Sequence, residues 1–374
     1  MLSVYWMLIG LLVLSTVVPA GARAARPLPD DCRRVVFLGS STTDGHTFPA
    51  LFRQALVEAG YAAPVCINAG IGGNTTAQMA ARLERDVLAY APTLVVLQAG
   101  GNDPSAKVPP EGFRATVTAL LARLQREKIP LLVLTTNIRG PKLIDHEPLL
   151  QSYNDILRAL GGEPGCRVGE VFARQAAARA AGESIVENDS LHANFAGHRV
   201  IVRAILDALG FPGVAVPAQQ RLELLPGVIR TWRLHPHPDQ VPKLDAAAVA
   251  ALAPDGDWLA YAVPETQPQA HWWLDSERQR GFAVSLKGVV GPAKRYLAAA
   301  TLQTAKAGPV YFNAGANLQA VWLDGVRIYQ VGTEPRGWHA GRERIPVTLT
   351  AGAHALLIES GAEFFLSVTE THDW

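Results

Sequence analysis

Between Arg34 and Leu209, short apolar runs alternate with stretches of helical period. The runs Val35-Val36-Phe37-Leu38, Val65-Cys66-Ile67, Leu94-Val95-Val96-Leu97, Leu131-Leu132-Val133-Leu134 and Arg167–Val171 are too short for helices and read as buried strands. After Thr47 and Pro49, the residues Phe48, Leu51, Phe52, Ala55 and Leu56 fall on one helical face. Met79, Leu83 and Val87 repeat every four residues and predict one further helix. Phe113, Val117, Leu120, Leu121 and Leu124 predict another, and residues 197–209 a closing one. Repeated β-α units with apolar strands predict an α/β unit over residues 30–211, a five-stranded parallel sheet covered by helices on both faces.

The pattern then changes. Pro212, Pro217, Pro226, Pro236, Pro238 and Pro242 break any long helix, so residues 212–245 read as a proline-rich linker. Beyond Ala293 the apolar runs are short and closely spaced: Tyr311–Ala314, Gln319–Leu323, Val326–Tyr329, Ile345–Leu349, Ala355–Ile358 and Phe364–Val368. Asp324-Gly325 is a hairpin turn, because Gly takes positive φ at little cost. These signals predict an antiparallel β-sandwich over residues 246–374. The tryptophans and prolines of residues 246–292 suit irregular structure or outer strands.

The N-terminus changes where the chain is expected to work. Met7–Val18 is an apolar run followed by Pro19 and the small-residue pattern Ala22-Arg23-Ala24, as in a secretory leader spanning residues 1–24 and cut after Ala24 or Ala25. No Lys or Arg precedes the run, and an uncleaved membrane anchor is the alternative, although the run is short for a span. The expected location is secreted or periplasmic. The 374 residues suit two domains, and with 49% hydrophobic and 18% charged residues the composition is that of a folded chain. A formal net charge of +1 without a basic stripe gives no reason to expect a nucleic acid partner. Cys32, Cys66 and Cys166 form neither a disulfide framework nor a metal spacing. One Cys32–Cys66 bridge and three buried thiols both remain open.

Four segments carry candidate chemistry, and three of them follow predicted strands: Gly39–Thr43, Asn68–Thr76, Gly100–Asp103 and Asp189–His192. Ser41 stands between a strand and a helix, at the carboxyl edge of the sheet where open α/β folds bind ligands. A helix start supplies N–H groups suited to an oxyanion. Ser40, Thr42 and Thr43 could equally cap that helix, so residue type alone does not select Ser41. Gly72 and Gly73 let a backbone N–H point into the cleft, and Asn102 can offer a side-chain N–H. One such donor is worth about 3 kcal/mol to acyl transfer. Three residues apart on a turn, Asp189 can fix the tautomer of His192 and leave its other nitrogen for Ser41. Taken singly, each segment has an ordinary explanation as a cap, a glycine turn or a surface turn. Asp44-His46 and Asp145-His146 read as solvated loop residues, and the glycosylation patterns at Asn74 and Asn188 as coincidence.

Together the four segments resemble the sequence blocks of the SGNH hydrolases, the GDSL esterase/lipase superfamily, over residues 34–209. The resemblance implies a three-layer, flavodoxin-like sheet and a serine esterase needing no cofactor or metal. It implies Ser41 as nucleophile, the Ser41 and Gly73 N–H groups with the Asn102 side chain as oxyanion hole, His192 as base and Asp189 as its partner. One departure stands out: the usual Gly-Asp-Ser reads Gly39-Ser40-Ser41, without the Asp that often supports the nucleophile loop. The last 85 or so residues resemble galactose-binding-like or PA14-like jelly rolls of carbohydrate-active enzymes. Trp232, Trp272, Trp273 and Trp338 could stack on sugars or pack in cores and seams. The implied substrate is a small-molecule or polysaccharide acyl ester, with acetylated glycans preferred, and no membrane span is expected after leader cleavage. The same segments could serve an acyltransferase, a lysophospholipase or a thioesterase, or persist in a non-catalytic glycan-binding protein. All four lie before Phe211, so the β-rich tail is expected to be auxiliary.

Overall fold

The computed structural model describes residues 25–221, 225–237, 244, 252, 254, 256–263, 283–334 and 336–371. Residues 1–24, with the predicted leader, lie outside them, as do Trp272 and Trp273.

The first unit runs β1 (Arg34–Gly39), α1 (Ser41–Asp44), α2 (Thr47–Glu58), β2 (Val65–Gly70), α3 (Thr76–Ala81), α4 (Leu83–Asp86) and β3 (Leu94–Gln98). It continues with α5 (Pro110–Arg126), β4 (Leu131–Leu134), α6 (Glu147–Leu160), β5 (Cys166–Gly169), α7 (Phe172–Ala180) and α8 (Phe195–Ala208). The five strands pair in the order β2-β1-β3-β4-β5, and every pairing is parallel. Because alternate strand residues face opposite sides, Val36, Leu38, Val95, Leu97, Leu131 and Val133 pack on α3, α5 and α6. Val35, Phe37, Val96, Leu132 and Leu134 pack on α2 and α8. Each such side chain contributes about 1.5–3 kcal/mol by leaving water, so both helical layers are held by burial.

The strand order reverses direction at β1. The loops after β1, β2 and β3 therefore open side by side at the carboxyl edge, beside the crevice such an order creates. That is where three of the four candidate segments sit.

One predicted element is corrected. The run Met79-Leu83-Val87 is not one helix but two, broken at Arg82 (φ −110°, ψ 12°). The break turns the Arg82 guanidinium inward. Its Nη2 donates to Gly39 O at 2.9 Å, its Nη1 to Ala69 O at 2.7 Å, and its Nε to Asn74 Oδ1 at 2.9 Å. Asn74 is buried by this arrangement, with its side-chain oxygen taken. All three cysteines are buried, and none is in a disulfide.

Among the described residues, the second unit is an antiparallel sheet of eight strands. These are β6 (Thr231–Pro236), β7 (Leu259–Ala262), β8 (Val284–Ser285), β9 (Tyr296–Thr304), β10 (Gly308–Leu323), β11 (Val326–Gln330), β12 (Glu343–Leu349) and β13 (Gly352–Thr369), with a short helix α9 (Leu286–Val290). The runs predicted as separate strands at Tyr311–Ala314 and Gln319–Leu323 are one continuous strand, β10, and those at Ala355–Ile358 and Phe364–Val368 are one, β13. Register shifts between Ala316 and Ala320 explain the break in pattern: bulges interrupt the alternation without ending the strands. Phe312 and Ala314 before the bulge, and Val321 and Leu323 after it, enter the same core with Phe364, Leu366 and Ile358. This arrangement is consistent with a β-sandwich. Trp232 belongs to that core: it is 3% exposed, donates its indole N–H to Ile229 O and meets Phe364 edge-on. No helix among the described residues is long and apolar enough to cross a membrane.

Candidate active site

Ser40 occupies the N-cap of α1 without a side-chain cap bond, and Ser41 is the first helical residue. Thr42 and Thr43 are buried, which leaves Ser41 as the hydroxyl of this segment turned toward the partly exposed edge. The amide N–H groups of Thr43 and Asp44 both close on Ser40 O, at 3.1 and 2.8 Å. The first N–H groups of a helix have no intrahelical acceptor, so the Ser41 N–H is of the kind that binds anions.

His192 meets Ser41 from the connection between α7 and α8. Its Nε2 stands 2.7 Å from Ser41 Oγ, and its Nδ1 2.6 Å from Asp189 Oδ2. The other Asp189 oxygen accepts the Leu191 N–H at 2.8 Å and the His192 N–H at 3.0 Å. The turn that brings Asp189 and His192 together is closed by the Glu187 N–H donating to His192 O at 2.8 Å, with Ser190 at φ 65°. Burial pushes the Asp189 carboxyl up, but the imidazole and two backbone N–H groups outweigh it and hold the group below the usual carboxylate range. An ionised Asp189 orients the ring with Nδ1–H toward itself and leaves Nε2 as an acceptor for the Ser41 proton.

Two candidate donors stand on the loops that run beside α1. Ile71–Asn74 is a four-residue turn closed by the Asn74 N–H donating to Ile71 O at 3.2 Å. Gly73 stands at its third position with φ 79°, a conformation that favours glycine. A Cβ on Gly72 would lie 4.0 Å from Ser41 Cβ, so the turn runs alongside the hydroxyl. Asn102 donates one amide N–H to Asn74 O at 3.0 Å, which fixes its side chain and leaves a second donor. Asn102→Ala is expected to lower kcat on an aryl acetate by about 10²-fold or more, with a smaller change in KM, because such a donor acts on charge that develops in the transition state. A pure KM effect would make Asn102 a substrate-binding group instead.

The structure thus brings Ser41, Gly73, Asn102, Asp189 and His192 to one edge of the sheet. Other sequence expectations change. Asp44 and His46, expected in a solvated loop, are 4% and 3% exposed. His46 stands at the N-cap of α2 with φ 62°, and Asp44 ends α1 facing inward. Asp145 is exposed and His146 half-buried, at the end of a 3-10 turn over Pro141–His146.

Three supporting groups were assigned no role from the sequence, although Asp103 closes one of the four segments. Arg139 is 2% exposed and its guanidinium spans two of the segments, donating to Gly101 O and, at 3.4 Å, to Leu191 O. Burial lowers its pKa to about 10, which still leaves it charged at neutral pH. Asp103, fully buried, accepts from the Thr76 N–H at 3.2 Å and from its hydroxyl at 3.1 Å, joining the second segment to the third. Arg82 ties the ends of β1 and β2 to Asn74, as described above. Among the described residues, no group of three His, Cys, Asp or Glu side chains is placed to hold a metal ion.

The GDSL-like lipase/acylhydrolase family model matches residues 37–200. No protein of curated function matches the sequence. Among solved structures, an α/β hydrolase enzyme from the metagenome of Lake Arreo, Spain, is 25% identical, covering 48% of this chain and 96% of its own, with a TM-score of 0.43. An acetylxylan esterase from Geobacillus stearothermophilus is 22% identical over 50% of this chain and 97% of its own, with a TM-score of 0.42. The lipase/acylhydrolase from Enterococcus faecalis is 20% identical over 50% of this chain and 100% of its own, with a TM-score of 0.44.

Proposed function

We propose that the chain is an exported serine esterase that removes acyl groups, acetyl foremost, from carbohydrate through an acyl-serine intermediate. The observation that carries this reading is the continuous relay from Ser41 Oγ through His192 to Asp189, with contacts of 2.7 and 2.6 Å. Ser41 Oγ attacks the ester carbonyl carbon as its proton passes to His192 Nε2. The carbonyl oxygen becomes an oxyanion facing the Ser41 and Gly73 N–H groups and the Asn102 amide. Collapse breaks the bond to the leaving alcohol, which takes the proton from His192. Water then gives a proton to Nε2, attacks the acyl-serine, and the proton returns to Ser41 as the acid departs. Asp189 stays ionised throughout and stabilises the imidazolium.

The substrate class rests on the leader-like N-terminus and on the appended β-rich unit, both of which suit work on extracellular glycans. A panel of aryl esters of increasing chain length and acetylated sugars tests it. Acetyl esters of sugars are expected to give the highest kcat/KM, with acid released rather than acyl passed to an added alcohol. A preference for long acyl chains would overturn the carbohydrate assignment, and net transfer would make the protein an acyltransferase. Failure to react with a fluorophosphonate probe at Ser41 would remove the esterase reading itself, since only an activated serine is labelled.

A further inference from the structure

Asp44 ends the one-turn helix that begins at Ser41, and its carboxylate joins three pieces of chain. Oδ2 accepts the Gly72 N–H at 3.1 Å, within the turn that presents Gly73. Oδ1 accepts the Trp338 N–H at 2.9 Å and the His339 N–H at 3.1 Å, and Oδ2 shares the Trp338 N–H at 3.2 Å. Trp338 and His339 belong to the antiparallel unit, in the connection between β11 and β12. Their successive N–H groups form a small anion-binding nest of the kind that backbone makes for phosphates and carboxylates.

The connection is held firmly on its own side. The Ala316 N–H, at the β10 bulge, donates to Trp338 O at 2.9 Å. Arg342 Nη1 donates to Gly337 O at 3.1 Å and to Ala316 O at 3.2 Å. The Trp338 ring meets Phe365 edge-on with centroids 4.8 Å apart. Beside it, Glu334 pairs with Arg85 of α4, and the Arg344 guanidinium lies 4.1 Å over the Tyr90 ring.

We propose that Asp44 is a positioning residue through which the antiparallel unit holds the Gly72–Gly73 turn in register with Ser41. The second unit is then part of the catalytic apparatus, not the auxiliary that motif positions alone suggest. This rests on the serine-esterase reading. The carboxylate support that the sequence lacks at position 40 comes, in this chain, from position 44. Burial pushes the Asp44 carboxyl up to about 6, against the pull of its three N–H partners, so at neutral pH it is the carboxylate, an acceptor to all three at once. The side chain touches no reacting atom. Its effect passes through the Gly72 peptide to the neighbouring Gly73 N–H, where small displacements cost rate because the oxyanion donors are preorganised.

Two single variants of the full chain and their combination test this. Asp44→Asn keeps the shape but turns an N–H₂ toward backbone N–H groups. Gly337→Ala works from the other unit: its Cβ would stand 2.5 Å from Gly70 O, wedging the connection away from the α/β unit. Each is expected to lower kcat on an aryl acetate by about 10- to 10²-fold with KM little changed. The double variant should be no worse than the more affected single, since both break one contact. A residue that only stabilised the fold would shift the melt and leave the kcat of the folded fraction intact. Folded variants with wild-type kcat, or losses that multiply, would overturn the proposal. If neither variant folds, amide exchange in the wild type decides: Gly72, Trp338 and His339 should be protected and open together, and unprotected Trp338 and His339 amides in an active enzyme would overturn it. A wild-type protein that neither turns over esters nor takes the fluorophosphonate fails the esterase reading instead, an outcome these variants cannot mimic.

Discussion

Ser41→Ala is expected to reduce kcat on an aryl acetate by at least about 10⁴-fold while the protein still folds. The hydroxyl oxygen is the only heavy atom lost, and it is hydrogen-bonded with His192 Nε2 at 2.7 Å. No core packing goes with it, since Ser41 is partly exposed at the sheet edge. A cooperative melt within a few degrees of wild type should therefore accompany the loss. The residual rate should exceed that in water, because the oxyanion donors remain. Turnover near the wild-type rate, or a fluorophosphonate adduct on Ser40, would sink the assignment of Ser41.

His192→Ala should be about as damaging, because the relay acts as a unit. Asp189→Asn should be milder. The carboxylate orients the ring and stabilises its charge without itself taking the proton. It is also 42% exposed, so water can replace part of its field. If His46→Ala or His146→Ala abolished activity and His192→Ala did not, the base would have been misassigned. It is His192 whose Nε2 stands 2.7 Å from Ser41 Oγ, whereas His46 is buried at the N-cap position of α2 and His146 ends a 3-10 turn.

Much of this was legible in the chain because the relevant physics is local. A run such as Leu94–Leu97, flanked by Pro92 and Gly100, reads as a buried strand because it is apolar throughout and too short for a helix. Chemistry at the carboxyl ends of such strands lies within a few residues of the run itself, so the segments that hold Ser41, Gly73 and Asn102 could be placed from the strands, and the family resemblance picked out those residues within them. Asp189 and His192 lie three apart on one turn, and their pairing needed only a chain that could bend. The α/β architecture and the switch to antiparallel strands after the proline-rich stretch followed from the period of the pattern.

The supporting contacts were not legible, because their partners are remote and their residue types are ordinary. Arg82 reads as a surface residue of an amphipathic helix until its guanidinium is seen on Gly39 O, 43 residues away. Arg139 reads as a loop cation until it bridges Gly101 and Leu191. The long strands β10 and β13 read as pairs of short ones, since a bulge hides continuity from any periodic test. Asp44 is the sharpest case: a carboxylate next to a glycine reads as solvated, yet its partners are backbone N–H groups 294 and 295 residues further on. By itself the sequence determined which residues stand at the edge of the sheet and what chemistry they can carry. Only the tertiary structure decided that a second unit reaches that edge, because backbone N–H donors have no side-chain identity and which of them meet a given carboxylate is set by packing.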